Sequence, residues 1–395
     1  MSRRIGLVLI AFAFVVNMLG TTLPTPLYPL YERVYGFAPL TITVIFATYA
    51  FGVVIGLLLF GHLSDVVGRR PVLAMGMFLS LASALAFLFA RHPFEIYAGR
   101  VLSGLSAGTF TGSCTAALID MADASRRAFA TTVAVAANIG GLGCGTLLSG
   151  LLAQYAPSPL RLVFGVDVAL AILALIAIAL APETVKRTGG FTLRIQRLRV
   201  PPEIRATFAQ AAVAGVCGFA AAGLFSSVAP SFLAGVLHLP NHALAGSLVA
   251  AMMFGSAAGQ VAVGRISSRR ALVTGCVLLL AGVVSLAFAL VVASAVLLFV
   301  SAVSAGIGQG LAIGAGLTEI NARITERRGE VSSAYFVVLY IGLAVPVIGI
   351  GLLATVGSIA SAGLIFCAIA AVALVTVLAW NVLTLPQYRA QRAKG

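Results

Sequence analysis

Charge is what this sequence has least of: Asp, Glu, Lys and Arg make up 9% of its 395 residues, against roughly a quarter in a soluble domain. Acid is scarcest, with 11 Asp and Glu against 25 Lys and Arg. Tryptophan occurs once, and Cys114, Cys144, Cys217, Cys276 and Cys367 lie in separate apolar stretches with no paired spacing. Each shortage excludes something. A chain that is 61% hydrophobic has too few charges to face water over most of its surface, so its main solvent is lipid. The scattered cysteines form no disulfide frame and no zinc set, and they are expected to be reduced, buried filler. No Gly-x-x-x-x-Gly-Lys-Ser/Thr loop is present for ATP hydrolysis, and no Ser/His/Asp grouping stands on a soluble face. No enzyme activity, cofactor or metal is expected.

Apolar windows bounded by charge or by Pro and Gly predict twelve helices. The first six fall near 5–27, 40–60, 71–89, 94–120, 129–153 and 161–181, and the second six near 207–233, 243–264, 271–293, 295–320, 332–354 and 360–382. Each approaches or exceeds the ~20 residues that a membrane crossing requires. Arg3-Arg4 before the run Ile5 to Val16 imitates a secretion signal, but no small-x-small cleavage site follows and the run continues to Leu23, so it reads as the first membrane helix. The longest polar stretch runs from Pro182 to Arg205 and closes on Pro201-Pro202. The expected organisation is therefore an all-α polytopic membrane protein: a six-helix bundle over 1–182, a basic linker over 183–206, and a second bundle over 207–395 with a short tail. Within the linker, Phe191 to Leu198 alternates apolar and basic residues, which fits either a solvated loop or a segment lying on anionic lipid.

The net charge of +14 does not point to nucleic acid, because the basic residues sit between apolar runs rather than on one face. They form an orientation signal. Only Arg33, Arg91 and Arg161 fall on one side and Arg100 inside a helix; all other Lys and Arg fall on the opposite side. By the positive-inside rule both termini and the linker are cytoplasmic, which places the chain in the inner cell membrane. Packing features also recur at an offset near 202 residues: Gly61 with Gly264, Gly104, Gly108 and Gly112 with Gly306, Gly310 and Gly314, Gly141 with Gly342, Gly150 with Gly351, Pro29 with Pro230. Two parallel repeats with a midplane site between them are a recurrent transporter design.

The loop after the second helix reads Gly61-His62-Leu63-Ser64-Asp65-Val66-Val67-Gly68-Arg69-Arg70. Helix 4 carries Arg100 on one stripe with Gly104, Gly108 and Gly112, and helix 5 carries Gly140-Gly141-Leu142-Gly143-Cys144-Gly145-Thr146-Leu147-Leu148-Ser149-Gly150. These three motifs, together with Pro182-Glu183-Thr184 closing helix 6, resemble signatures of the major facilitator superfamily and, within it, of the drug:proton antiporters. In helix 5, Thr146 stands where that group has proline and Ser149 where it has glycine.

The resemblance implies twelve helices in two pseudo-symmetric bundles, alternating access, and proton-coupled efflux of small amphipathic compounds. An importer or uniporter of a sugar or organic ion on the same fold stays open, as does a non-transporting membrane receptor or sensor. A monomer is expected, with the lipid bilayer, a small-molecule substrate and protons as its partners. For coupling or substrate binding the candidates are Arg100, Asp167, Asn17 and Gln309, because polar groups inside a membrane mark function by default. Arg100 and Asp167 fall at similar depth and are expected to face one another. Gly61, Asp65, Gly68, Arg69, Arg70, Asp120 and Asp123 form the expected cytoplasmic gate, with Asp65 aimed at the positive end of helix 11. The second half keeps the basic residues at Gly264-Arg265-Ile266-Ser267-Ser268-Arg269-Arg270 but has no carboxylate, so the latch is one-sided. Gly104, Gly108, Gly141, Gly145, Thr146 and Ser149 are expected to pack the two halves together.

Overall fold

The computed structural model describes residues 3–61, 63–185, 196, 198–324 and 328–383. Backbone polar groups in hydrocarbon must be satisfied inside their own segment, which leaves helices as the solution for single apolar runs. Among the described residues every regular element is helical. They are α1 (Arg3–Thr22), α2 (Tyr28–Tyr35), α3 (Pro39–Phe60), α4 (Leu63–Val67), α5 (Arg69–Leu88), α6 (Pro93–Met121), α7 (Arg127–Tyr155), α8 (Pro159–Leu180), α9 (Arg205–Ser227), α10 (Ala229–Gly235), α11 (His242–Ala262), α12 (Ser268–Val292), α13 (Ala295–Ala322), α14 (Arg328–Val356) and α15 (Ile359–Leu383). The alternating basic and lipidic reading of Phe191 to Leu198 falls largely on residues outside those described, as do Lys186, Arg187, Arg194, Arg197 and the basic tail beyond 383.

Local chemistry sets the ends. Pro39, Pro93 and Pro159 open α3, α6 and α8 at positions where a missing N–H costs nothing. The backbone N–H of His92 donates to Glu95 Oε2 at 2.8 Å, closing a capping box ahead of α6. Asn241 and Ser294 cap α11 and α13 through their side chains.

Two of the expected long helices are broken, and at equivalent places. α1 stops at Thr22, passes through a short turn at Thr25–Leu27, and resumes as α2 with Pro29; α9 stops at Ser227 and resumes as α10 with Pro230. A proline lacks the donor and crowds the carbonyl four residues back, so the helix breaks just upstream.

Among the described residues, eleven spans are long and apolar enough to cross a membrane. The 29-residue α6 is absent from them because Arg100 and its run of Ser, Thr and Gly dilute its apolar content. It nevertheless packs closely against α3 and α5. A Cβ on Gly104 would strike the Tyr49 carbonyl oxygen and one on Gly108 the Val53 carbonyl oxygen, while Gly52 and Gly56 of α3 meet α6 in the same way. The contact recurs in the second half, where Gly306 and Gly310 of α13 face Met252 and Ser256 of α11. Across the halves α7 packs on α11 and α3 on α14. One end of the assembly gathers Arg69, Arg70, Arg126, Arg127, Arg265 and Arg270, and is called the basic end below; the other is the far end.

Candidate functional site

A cavity of about 350 Å³ lies among α1, α3, α6, α7, α9, α11, α13 and α14. At the basic end it reaches Gly61, Gln196 and Gly329. Its wall combines aromatic rings (Phe46, Tyr49, Phe219, Phe336, Tyr340) with hydroxyls and amides, and among the described residues Arg100 is its one charged lining residue.

Arg100 is 1% exposed. Its Nη1 donates to the Thr21 carbonyl oxygen at 2.8 Å. Its guanidinium lies 4.7 Å from the centroid of the Tyr49 ring and 5.5 Å from that of Phe46. Nε has no partner. A cation at bilayer depth costs about 2.5–3.5 kcal/mol, and a desolvated ring face returns roughly 2 kcal/mol of it. Tyr49 stands edge-on to Tyr340 across the cavity (6.4 Å between centroids), and Tyr340 to Phe219 (5.4 Å), so rings from both halves of the chain surround the guanidinium's site.

Asp167 on α8 is 3% exposed. The expected facing pair with Arg100 is not formed: the carboxylate lies against Gly20, where a Cβ would come within 3.0 Å of Oδ1, and Oδ1 has no hydrogen-bond partner. Arg100 reaches the neighbouring residue Thr21. The two charges therefore meet α1 at successive residues rather than each other, because the depth argument located them along the membrane normal only.

Of the two candidate amides, Gln309 lines the cavity with Oε1 unpartnered, and Ser256 on the wall is likewise unpartnered at Oγ. Asn17 is placed elsewhere. Its Nδ2 donates to Ser106 Oγ at 2.6 Å, and Ser106 Oγ donates to the Gly76 carbonyl oxygen at 2.7 Å, which ties α1 through α6 to α5.

The stripes expected to join the halves mostly join helices within one half. Gly104 and Gly108 pack α6 on α3, as described above. Gly141 and Gly145 face Val15, Met18 and Leu19 of α1, and Ser149 Oγ donates to the Leu23 carbonyl oxygen at 2.6 Å. The opposite edge of α7 makes the contact between halves: Gly143 meets Phe254, the Thr146 carbonyl oxygen meets Gly246, and Gly150 meets His242 and Gly246. Of the six expected residues, Thr146 is in that contact. Cys144 departs from the cysteine expectation too, being exposed, whereas Cys114, Cys217, Cys276 and Cys367 are buried.

At the basic end the loop motif folds into a charge network. Asp65, on the short α4, pairs with Arg69 Nη1 at 2.5 Å, and Arg69 Nε pairs with Asp120 Oδ2 at 3.2 Å. Asp65 is thus engaged within its own loop rather than with the start of α14. Gly68 has φ +108°, which an L side chain rarely adopts, and a Cβ there would come within 2.7 Å of Glu183 Oε2. Glu183 accepts from the backbone N–H groups of Arg69 (2.9 Å) and Arg70 (3.0 Å), capping the positive end of α5. The sequence reading placed no role on Glu183; its signal was the short Pro-Glu-Thr ending of α8. Asp123 lies on the surface beside Arg126 and has no ion pair among the described residues. Glu319 and Arg323 form the expected i,i+4 pair at 2.9 Å.

At the far end the halves are in direct contact. Ser231 Oγ donates to Glu32 Oε1 at 2.9 Å, joining α10 to α2. The His242 N–H donates to Gln154 Oε1 at 2.9 Å, and a Cβ on Gly351 would strike Thr43 Oγ1.

A many-span helical membrane protein with a polar, aromatic cavity among its helices has the architecture in which solute transporters place their binding sites. The chain belongs to the Major Facilitator Superfamily, whose family model matches residues 10–346. It is similar to a crystal structure of a bacterial homolog of the human lysosomal transporter Spinster, in an inward-facing and unoccupied conformation, with TM-score 0.68 at 18% identity over 96% of this chain and 95% of that one; this likeness shows the fold alone. It is 29% identical over 204 residues to the cephamycin export protein CmcT of Amycolatopsis lactamdurans and 32% identical over 101 residues to a gallate transporter of Pseudomonas putida. Those stretches span 51% and 26% of this chain, and 41% and 22% of the two relatives' own lengths.

Proposed function

We propose that this protein is a proton-coupled exporter of small amphipathic compounds. α6 serves as the twelfth crossing, and residues 1–182 and 207–395 form two six-helix bundles that rock about the central cavity. The observation that carries this reading is the cavity itself: it lies where the two halves of the chain meet, has an aromatic wall for an apolar body, and offers unpaired polar atoms on Arg100, Gln309 and Ser256. The basic end is cytoplasmic by the distribution of Arg and Lys, so the cavity that reaches Gly61 and Gly329 is in its inward-facing state, with both termini in the cytoplasm of a cell-membrane protein acting as a monomer. Asp65, released from Arg69, engages the start of α14 when the inner side closes. Asp167 is the one carboxyl buried at membrane depth among the described residues, and its proton is the one exchanged. Similarity to an exporter over half of this chain supports the direction.

The test is a solute screen in proteoliposomes under an imposed pH gradient. Uphill movement of an amphipathic solute against proton flow is expected, and Asp167→Asn is expected to leave only downhill exchange. A gradient that neither drives any solute nor is collapsed by one sinks the antiport reading. Uptake along with protons would instead establish the importer of an organic ion that the same cavity accommodates.

A further inference from the structure

The cavity's charge is one-sided. Among the described residues, every carboxylate, histidine and arginine other than Arg100 lies off its wall. The guanidinium is held from one side by the Thr21 carbonyl oxygen and stacked on Tyr49, which fixes its plane, yet among the described residues no carboxylate pairs with it and Nε is left without an acceptor. A permanently charged, rigidly oriented fork in low dielectric is built to take a planar oxyanion. We infer that the exported compound is an anion, an amphipathic carboxylate whose charged group docks on Arg100 and whose apolar body lies among Phe46, Tyr49, Phe219 and Tyr340. Gln309 and Ser256 supply neutral contacts on the facing half. This deepens the export reading and rests on it for the direction of movement, though not for the site.

Binding without any gradient tests it. Purified protein in lipid nanodiscs is titrated by calorimetry with 2-naphthoate, its neutral amide and the matching 2-naphthylmethylammonium ion. The carboxylate is expected to bind roughly 30-fold more tightly than the amide, the loss typical when one partner of a buried charge pair is removed, and the ammonium ion not at all. Arg100→Gln is expected to level acid and amide while Arg100→Lys keeps part of the preference; Gln309→Leu weakens both ligands equally. Equal affinity for acid and amide in the native chain, or an acid preference that survives Arg100→Gln, overturns the anion site. If Arg100→Gln fails to fold, the native chain's comparison of acid, amide and ammonium decides alone. Acid-selective binding with no proton-driven movement in proteoliposomes would leave this site standing and remove the export reading.

A separate feature lies outside the cavity. A groove of about 720 Å³ runs between α1 and α7, with Leu7, Val8, Ala11, Phe12, Val133 and Ala137 along its walls and Arg3, Arg4 and Arg126 at its basic-end mouth beside a lone Asp123. Val133, Ala137 and the exposed Cys144 share one stripe of α7, which Arg126 precedes, and Val8, Phe12 and Phe129 on the groove's walls are exposed apolar side chains, as a lipid-facing surface requires. From Arg4 to Val15 it covers ~17 Å of helix, about one leaflet's hydrocarbon. Three cations against one acid at headgroup depth, above an apolar channel, fit an anionic phospholipid. The geometry points to a bound lipid of that class.

Native mass spectrometry of protein released from mixed phosphatidylglycerol and phosphatidylcholine nanodiscs reads retention directly. Phosphatidylglycerol is expected to be retained preferentially, and about fivefold more weakly for each of Arg3→Gln, Arg4→Gln and Arg126→Gln. Removing Arg205, Arg265 and Arg270 at the same end is expected to change retention little. Equal retention of the two lipids, or a loss on removing Arg205, Arg265 and Arg270 as large as that on replacing Arg3, Arg4 and Arg126 together, overturns the site.

Discussion

Asn17 and Gln309 look equivalent in one dimension, each a lone amide near the middle of an apolar helix. They differ in what their helices turn them toward. Asn17→Ala deletes one bond of the α1–α6 tie while Ser106 keeps its own bond to Gly76, so a thermal melt should show a stability loss of ~1 kcal/mol, typical of an interhelical bond in a membrane. Substrate affinity should not change. Gln309→Ala should do the reverse, leaving the melt within experimental error and weakening substrate binding about tenfold; the opposite pattern would exchange their roles. Gly68 is a sharper case at the same scale. Gly68→Ala adds a Cβ both to a φ of +108° and to the space that Glu183 occupies, so transport should fall severely even though the change is a single methyl. Glu183→Ala should cost ~1–2 kcal/mol by uncapping α5, and Glu183→Gln, which keeps an acceptor, should cost less.

Helices were the legible part of this molecule because lipid leaves an apolar run few alternatives. Contacts between helices were harder to read. The stripes Gly104-Gly108 and Gly141-Gly145-Ser149 are visible as stripes, but the same spacing serves a neighbour in the same half or one across the interface, and both stripes serve the former. Pro29 and Pro230 were noted as repeat markers, while the break that creates α10 was absorbed into the helix expected over 207–233, and α2 lay beyond the expected end at 27. The Arg100–Asp167 pair failed for a related reason: hydropathy gives depth, and α1 lies between the two at that depth. The glycine contacts predict a graded series. Gly108→Leu and Gly310→Leu each drive a side chain into backbone of a packed helix and should cost ~3 kcal/mol or more, seen as loss of monodisperse protein in detergent. Gly140→Ala and Gly112→Ala meet nothing within 4 Å, and should be neutral or slightly stabilising. A Gly108→Leu protein that melts like the native one would mean that α3 and α6 are not in this register.

The two ends of the molecule are in opposite conditions, and that asymmetry is what alternating access requires of a single state. The far end is shut by three independent contacts, Glu32 with Ser231, His242 with Gln154, and Gly351 with Thr43, and the first of them joins the two short helices that the proline breaks produce. At the basic end Asp65 and Asp120 both pair with Arg69, inside one half of the chain. If transport needs the far end to open, then joining α2 to α10 must stop it without emptying the cavity. In a background with the native cysteines replaced by Ala or Ser, Glu32→Cys with Ser231→Cys bridged by a short bifunctional methanethiosulfonate should abolish movement of solute in proteoliposomes while binding from the basic end stays within about twofold. Reduction should restore movement, because the link adds no contact to the cavity and only removes one of its two states. Movement that survives complete bridging would show that the far end does not open between α2 and α10, and with it would go the proposal that the halves separate there.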